Sequence, residues 1–323
     1  MHLHRGRFAP SPTGPLHLGN ARTALLSWLA ARAAGGRWLQ RVEDLDRARV
    51  RPGLEERILG ELRWLGLDWD EGPDVGGPSG PYRQSERLGR YDDALRRLRE
   101  AGRVYPCFCS RAEIARAAEA PHGLSDDGPR YPGTCDRLST EEVNRRSVGR
   151  RPAWRLRVAP GEVRFEDGVH GPQAVDVSTQ VGDFVVARAD GVPAYQLAVV
   201  VDDAAMGITD VVRGDDLLPS TARQLLLFEA LGLAPPRFAH VPLVVGEDGE
   251  RLAKRHGALS LGELRERGAD PRAVVGLLAS LSGLAPPGAR VAPGELVRAF
   301  DLARLPRAPA VLSPAAVAAL ALG

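Results

Sequence analysis

The sequence has almost no lysine. Lysine and arginine together number 43, and Lys254 is the single lysine among them. A lysine ammonium is a compact charge on a flexible stem, whereas an arginine guanidinium is planar, so the two are not equivalent against a phosphate that moves during a reaction. The retention of one lysine in a sequence this rich in arginine favours a need for an ammonium at position 254. Chance survival of one lysine is the alternative.

Cysteine, net charge and long apolar runs are also scarce. Three cysteines, an odd and small number, argue against a disulfide framework. A formal net charge of +2 is too small for nucleic-acid binding through the field of the whole protein, so any RNA contact requires a local patch. The first residues contain no apolar signal-peptide core, and no apolar stretch has membrane-spanning length. We therefore expect a cytoplasmic protein that has no membrane partner.

The sequence contains one stretch that is typical of an anion-binding site. Residues 7–22 predict a short strand, a turn rich in proline and glycine, and the first turn of a helix. A helix that begins at His17 or Leu18 directs its free N–H groups and its positive dipole end at the turn, and Gly19 lets an anion approach the backbone. The stretch lacks the glycine spacing of a P-loop or a dinucleotide-binding motif. It indicates a phosphate site, with an ordinary strand-to-helix turn as the alternative.

This stretch and a second one resemble the two signature motifs of class I aminoacyl-tRNA synthetases. Residues 17–20, His-Leu-Gly-Asn, stand at the HIGH motif, and residues 251–255, Arg-Leu-Ala-Lys-Arg, stand at the KMSKS motif. The preceding residues 7–14 are similar to those of the glutamyl branch, and the resemblance covers nearly the whole chain. Asn20 replaces the second histidine of the first motif, and Lys254 alone keeps its residue in the second.

The resemblance implies a site that activates L-glutamate with ATP. It assigns the glutamate pocket to Arg7, Phe8, Ala9, Pro10, Ser11, Glu43, Tyr195 and Arg213. It assigns the ATP site to His17, Gly19, Asn20 and Lys254. We interpret His17, Asn20 and Lys254 as the catalytic residues, acting with Mg²⁺ on the phosphates. The substrate chemistry agrees, because a guanidinium binds a carboxylate through two parallel hydrogen bonds and a carboxylate such as Glu43 suits the ammonium.

The cysteines predict a metal site. Cys107 and Cys109 have C-x-C spacing, and Cys135 follows beyond a long polar loop. This arrangement favours zinc and leaves a fourth ligand open. His122 is the ordinary candidate for that ligand, whereas resemblance to truncated members of the glutamyl family implies Tyr131, four residues before the last cysteine. Three buried reduced cysteines without a metal are the alternative.

Alternating helices and strands in the first part of the chain predict a doubly wound parallel sheet. Apolar residues at helical spacing give three helices with one buried face each: Ala21, Leu25, Trp28 and Leu29; Leu54, Ile58, Leu62 and Leu65; Leu88, Tyr91, Leu95 and Leu98. Residues 38–42 predict a strand that ends at Glu43, where ligands bind in such sheets. Residues 153–189, with a strand at 162–167, predict strands of an inserted lobe, and residues 194–203 predict a buried strand or a helix start.

The expected fold class is α/β, with the Rossmann-like parallel sheet of class I synthetases, an inserted zinc-bearing β-rich lobe and a short C-terminal helical region. The two halves of the nucleotide-binding fold are predicted at residues 1–104 and 190–245, and the inserted lobe at 105–189. Residues 246–323 are predicted to hold the KMSKS-like loop and a helical region that contacts the tRNA stem. We expect no anticodon-binding domain, because such a region needs on the order of 100 residues and fewer follow Lys254.

The function implied by resemblance to the truncated glutamyl enzymes has two steps. Glutamate is activated to glutamyl-adenylate, and the glutamyl group then passes to queuosine in the anticodon of tRNA(Asp). A shortened ordinary glutamyl-tRNA synthetase, which charges the tRNA 3′ end, is one alternative. A catalytically inactive tRNA-binding paralogue is another. We expect a monomer.

Overall fold

The computed structural model describes residues 3–117, 130–250 and 260–320. Lys254 with its motif and His122 lie outside the described residues. The strands are β1 (Arg5–Phe8), β2 (Arg37–Gln40), β3 (Val104–Cys107), β4 (Ala153–Leu156), β5 (Val163–Asp167), β6 (Gly171–Val175), β7 (Phe184–Ala187), β8 (Asp210–Gly214), β9 (Arg237–Val241), β10 (Val244–Val245) and β11 (Ala310–Val311). The helices are α1 (Leu18–Ala33), α2 (Leu54–Trp64), α3 (Leu88–Glu100), α4 (Arg111–Ala117), α5 (Thr140–Ser147), α6 (Val177–Gln180), α7 (Tyr195–Ala205), α8 (Leu218–Leu231), α9 (Leu261–Glu266), α10 (Pro271–Ser280), α11 (Pro293–Leu296) and α12 (Pro314–Leu320).

Parallel strand pairs form the centre of the fold. β1 pairs with β2 in parallel, and β8 pairs with β9 in parallel. β8 lies beside β1, and the N–H of Thr209 donates to the carbonyl of Arg5 at 3.0 Å. The carboxyl ends of β1 and β8 therefore meet near the start of α1, which is where the sequence predicts the ligand site.

The hairpin β5–β6 does not join the sheet that we expected. The sequence predicted its first strand as part of the inserted lobe, but Asp167 at the end of β5 pairs in parallel with Phe238 of β9. The Asp167 carboxylate accepts the N–H groups of Val169 and His170 at 3.0 and 2.9 Å, which fixes the turn after β5. The hairpin thereby extends the sheet that carries β8, and this tertiary pairing leaves no local sequence signal.

The other strands of the predicted lobe form a separate antiparallel sheet. β4 lies at its centre and pairs with β3 on one side and β7 on the other. A tight turn at Gly191, with φ of +88°, follows β7, and the pair Asp190-Gly191 is typical of such turns. α4 begins with a capping box, in which the Ser110 hydroxyl accepts the N–H of Glu113 at 3.2 Å.

Two helices are buried differently from what their sequence patterns predict. α1 is buried on nearly all sides rather than on one face, because it packs against β1 and β8 and also against α10 and α11. In α3, Tyr91 and Leu98 are buried as expected, but Leu88 is 41% exposed at the first turn.

Residues 195–205 form a helix, so the strand alternative for this segment was wrong. Its apolar run packs against α3 and α8, which explains the continuous burial.

No helix among residues 3–117, 130–250 and 260–320 is long and apolar enough to cross a membrane.

Candidate active site

A cavity of about 470 Å³ lies at the carboxyl ends of β1 and β8. Its wall includes all of the residues predicted for the glutamate and ATP sites that the structure describes: Arg7, Phe8, Ala9, Pro10, Ser11, His17, Gly19, Asn20, Glu43, Tyr195 and Arg213. Lys254 lies outside the described residues. Residues as distant in sequence as Arg7 and Arg213 thus share one cavity, and its volume is in the range of small-molecule sites.

The N-terminus of α1 forms one end of this cavity. His17 is the N-cap residue, and its Nδ1 accepts the N–H of Asn20 at 3.4 Å. Desolvation by the cavity walls lowers the pKa of His17, so the imidazole is neutral. A Cβ at Gly19 would lie 3.3 Å from the His17 ring, so glycine avoids crowding there. The remaining N–H groups and the dipole of the helix favour an anion at this end.

Arg7 and Glu43 are connected through a buried ionic network. Arg7 contacts both oxygens of Asp203, with Nε and Nη2 each 3.3 Å away. Arg41 is completely buried and donates to Asp203 Oδ1 at 2.6 Å and to Glu43 Oε1 at 3.2 Å. Behind it, Asp202 accepts a hydrogen bond from Arg87 at 2.6 Å. Arg41 therefore positions Glu43 directly and Arg7 through Asp203.

Burial changes the acidity of the groups in this wall. Desolvation raises the pKa of Glu43, although the charges of Arg41 and Arg7 oppose the shift. Desolvation would also raise the pKa of Asp203, but the charges of Arg7 and Arg41 outweigh it and the pKa is lowered. The pKa of Tyr195 is raised, chiefly by desolvation. Asp203 is thus held as a carboxylate, and Tyr195 is a neutral hydroxyl.

Arg213 is a buried cation with neutral neighbours. Its Nε donates to His240 Nε2 at 3.0 Å, Nη1 donates to Gln224 Oε1 at 2.9 Å, and Nη2 donates to Thr221 Oγ1 at 2.8 Å and to the Leu217 carbonyl at 3.3 Å. In the part of the chain that the structure describes, no carboxylate lies within ion-pair distance of it. Desolvation accordingly lowers its pKa. A buried guanidinium without a counter-ion favours an anionic ligand.

A second cluster brings together the three cysteines. The sulfur atoms of Cys107, Cys109 and Cys135 lie within 4.8 Å of one another. The Tyr131 hydroxyl lies 3.4 Å from Cys107 Sγ and 3.8 Å from Cys109 Sγ, and it accepts the N–H of Cys135 at 2.9 Å. A zinc tetrahedron with Zn–S bonds of about 2.3 Å separates its sulfur ligands by roughly 3.8 Å, so these side chains fit such an ion.

Thiol acidity differs within this cluster. Desolvation raises the pKa of the Cys109 thiol to about 12. For Cys107, hydrogen bonds from Tyr131 and from Arg155 outweigh desolvation and lower the pKa. Arg155 donates to Cys107 Sγ at 3.2 Å, and its guanidinium lies 3.7 Å from the centroid of the Tyr131 ring. The cluster can thus hold negative charge, as metal-binding thiolates require.

Comparison with known proteins identifies the family. Residues 4–312 match the family described as tRNA synthetases class I (E and Q), catalytic domain. The chain belongs to this family. The class I synthetase assignment made from residues 17–20 and 251–255 is therefore confirmed.

Several relatives of this class I synthetase are similar over most of the chain. A protein of Symbiobacterium thermophilum named glutamyl-Q tRNA(Asp) synthetase is 58% identical, with 98% of each chain covered. A protein of the same name from Nitratidesulfovibrio vulgaris is 53% identical, with 95% of each covered. Glutamate–tRNA ligase 1 of Halorhodospira halophila is 51% identical, and the match covers 95% of this chain and 65% of that protein.

A solved structure supports the same fold for this class I synthetase. The crystal structure of glutamate-tRNA synthetase from Elizabethkingia anophelis superposes with a TM-score of 0.86 at 32% identity, covering 98% of this chain and 69% of that one. The class I fold, with its parallel strand pairs and surrounding helices, is thereby confirmed. The zinc-bearing lobe and the domain boundaries remain predictions.

Sequence reasoning did not find three residues that organise the site of this synthetase. Arg41 was overlooked, although a charged residue between Gln40 and Val42 in a buried segment is a signal of a structural ion pair. Asp203 follows an apolar run in the sequence, but no local pattern indicates its partners. His240 gave no signal, because a lone histidine in a strand is ambiguous until its neighbours are known.

Proposed function

We propose that this chain activates L-glutamate with ATP and transfers the glutamyl group to queuosine in the anticodon of tRNA(Asp). The observation that carries the first step is the buried Arg213, whose guanidinium faces neutral groups in a cavity that also contains Glu43. One cavity thus offers a cation for a carboxylate and an anion for an ammonium, which is the charge pattern of an amino acid with an acidic side chain.

The proposed residue roles follow from that pattern. Arg7 and Arg213 bind the carboxylates of glutamate, Glu43 binds its ammonium, and the Tyr195 hydroxyl and residues 8–11 complete the pocket. Arg213 has one N–H left on Nη1 after its hydrogen bonds to protein groups are counted. That N–H is available to a ligand carboxylate.

ATP is placed at the helix end of the cavity. The α1 N-terminus with His17, Gly19 and Asn20 holds its phosphates, together with Lys254 and Mg²⁺. The α-carboxylate of glutamate attacks the α-phosphorus in line, a P–O bond forms, and pyrophosphate leaves with the electron pair of the broken bond. The neutral His17 is suited to donate a hydrogen bond to a phosphate oxygen. Catalysis then depends on positioning and charge stabilisation without a protein nucleophile.

The acceptor is supported by the relatives. The proteins of Symbiobacterium thermophilum and Nitratidesulfovibrio vulgaris that carry the name glutamyl-Q tRNA(Asp) synthetase are 58% and 53% identical to this chain. In the second step a hydroxyl of the queuosine cyclopentenediol attacks the carbonyl of the adenylate, and AMP leaves. A shortened glutamyl-tRNA synthetase that charges the 3′ end is the second candidate, since a relative named glutamate–tRNA ligase 1 is 51% identical.

The remaining parts of the proposal concern the lobe and the assembly. Cys107, Cys109, Tyr131 and Cys135 would hold a zinc ion, which would fix the segment around Cys135 to the sheet β3–β4–β7. The lobe at residues 105–189, apart from the hairpin β5–β6 that joins the sheet of β8 and β9, then separates the two halves of the nucleotide-binding fold, at 1–104 and 190–245. We propose that the enzyme acts as a monomer.

The first experiment measures glutamate-dependent exchange of pyrophosphate into ATP without tRNA. Exchange is expected, because the groups proposed for activation belong to this chain. Folded protein without exchange would favour the inactive tRNA-binding paralogue. Two other amino acids replace glutamate as controls. Glutamine tests the need for the side-chain carboxylate, and aspartate tests the length of the side chain.

The second experiment measures the acceptor. Labelled glutamate should appear on tRNA(Asp) from cells that make queuosine and be absent from the same tRNA of cells that cannot make it. Equal labelling of both, or labelling of the 3′-terminal adenosine of tRNA(Glu), would instead support the shortened glutamyl-tRNA synthetase.

A further inference from the structure

We propose that Asp167 is a positioning residue for the substrate-binding Arg213, acting through the tautomer of His240. Asp167 lies in the β5–β6 hairpin and does not line the cavity, whereas Arg213 does. His240 connects the two: its Nδ1 lies 2.6 Å from Asp167 Oδ2, and its Nε2 accepts from Arg213 Nε at 3.0 Å. The inference rests on the proposed function, because it assigns Arg213 to the substrate carboxylate.

The hydrogen bonds determine where the His240 proton lies. The Nε group of Arg213 can only donate, so Nε2 of His240 must be the unprotonated, accepting nitrogen. The proton of a neutral His240 is then on Nδ1, where it is donated to Asp167 Oδ2. All three side chains are buried, with exposures of 2% for Asp167, 0% for His240 and 4% for Arg213. Water therefore cannot replace a partner that fails to accept.

Asp167 cannot be replaced by asparagine without reversing this tautomer. Its Oδ1 accepts the N–H groups of Val169 at 3.0 Å and His170 at 2.9 Å, and the backbone N–H of His240 is shared between Oδ1 at 3.2 Å and Oδ2 at 3.1 Å. An asparagine must place its carbonyl oxygen toward those donors, so its amide nitrogen faces His240 Nδ1. That amide donates, His240 shifts its proton to Nε2, and two N–H groups then oppose each other between His240 and Arg213.

The chain of contacts fixes the direction of Arg213. Thr221 and Gln224 from α8 and the carbonyl of Leu217 hold the two terminal nitrogens, and His240 holds Nε. Losing the acceptor at Nε leaves a buried donor unpaired and frees the guanidinium to rotate. The consequence is a loss of glutamate affinity with little change at the ATP end of the cavity, where α1 supplies the contacts.

The first readout is independent of activity. Nitrogen-15 NMR of histidine side chains distinguishes the two tautomers, and wild-type His240 should be protonated at Nδ1. In Asp167→Asn it should be protonated at Nε2. A wild-type His240 protonated at Nε2, or an unchanged tautomer in Asp167→Asn, would overturn the proposal. This readout holds even if the wild type shows no pyrophosphate exchange, a result that would count against the proposed function instead.

The second readout is the KM for glutamate in pyrophosphate exchange. Asp167→Asn should raise it about 10- to 100-fold, the effect of losing one buried hydrogen bond to a charged group, with the KM for ATP unchanged. Asp176→Asn is the matched control, because Asp176 only caps α6 through Ser178 and Thr179. It should leave both KM values unchanged.

A double-mutant comparison separates positioning from simple stabilisation of the hairpin. His240→Gln keeps an accepting oxygen for Arg213 and no longer depends on Asp167, so it should retain near wild-type KM for glutamate, whereas His240→Leu should raise it. In the His240→Gln background, Asp167→Asn should have little further effect. If Asp167→Asn raised the KM for glutamate equally in the wild-type chain and in His240→Gln, the proposal would be overturned. If Asp167→Asn alone does not fold, the tautomer of wild-type His240 still decides, because a proton on Nε2 would overturn the proposal.

Discussion

Two nitrogens of Arg7 lie 3.3 Å from the two carboxylate oxygens of Asp203. Both side chains are buried, yet these distances exceed the roughly 2.7–2.9 Å of a strong charge-assisted hydrogen bond. Arg41, on the same carboxylate, is at 2.6 Å. Asp203 is therefore bound closely by Arg41 and more loosely by Arg7, so Arg7 retains the capacity to contact a carboxylate in the cavity.

The first prediction is that Asp203→Asn destabilises the protein strongly. The substitution would remove the negative charge that Arg7 and Arg41 share and leave two buried cations. Removing one partner of a buried ion pair costs about 3–5 kcal/mol of unfolding free energy. Chemical denaturation measures it. The matched control is Glu100→Gln, which breaks the exposed pair with Arg96 and should change stability by less than about 0.5 kcal/mol. Similar losses in both variants would contradict the importance of the buried network.

The second prediction concerns the pH dependence of stability. Desolvation lowers the pKa of His240 to about 4 in the folded chain, against 6.5 for a free histidine. Between these values the unfolded chain binds a proton that the folded chain excludes. The stabilisation is thus fully present above pH 6.5 and is lost as the pH falls toward 4, by about 2 kcal/mol between pH 7 and pH 5. Denaturation series at several pH values measure it.

The control for this pH dependence is the replacement of a histidine by glutamine, which does not titrate. His240 faces Asp167, Arg213, Thr221 and His170. His240→Gln should reduce the loss of stability between pH 7 and pH 5 by the His240 contribution, whereas His170→Gln should leave most of it. An unchanged slope in His240→Gln would show that His240 does not exclude the proton.

The third prediction is that purified protein contains zinc. Cys107→Ser and Cys135→Ser should lose the metal and lower the stability of the lobe that contains β3, while Tyr131→Phe should have a smaller effect because three thiolates remain. Metal analysis after dialysis and melting curves with and without a chelator provide the measurement. Tyr82→Phe, whose hydroxyl contacts Glu71 outside this cluster, should retain the metal. Wild-type protein that binds no zinc would remove the site.

The fourth prediction comes from the sequence alone. Lys254→Arg should lose about 2–4 kcal/mol of transition-state stabilisation in pyrophosphate exchange, because a guanidinium does not replace a mobile ammonium at the transferring phosphoryl group. The exposed Arg304→Lys serves as the control and should exchange at the wild-type rate. Wild-type exchange in Lys254→Arg would refute the argument from the single lysine.

Local patterns were sufficient for many elements of the fold. The start of α1 at Leu18 follows from the turn before His17, and the capping box at Ser110 predicts α4, because each depends on residues that are neighbours in sequence. The continuous burial of α1 could not be predicted, since it depends on which helices pack on its second side. The pairing of β5 with β9 could not be predicted either, because it joins residues about 70 positions apart in sequence.

The sequence by itself determined the family and predicted which residues form the candidate site. The motif residues 17–20 and 251–255 carry that information through their type and order, and the described members converge on one cavity. Only the tertiary structure decided how the site is supported. Arg41 between Asp203 and Glu43, and His240 between Asp167 and Arg213, act through distances of 2.6 to 3.2 Å that join separate strands and helices. Hydrogen bonds of that kind depend on packing, which no local sequence pattern specifies.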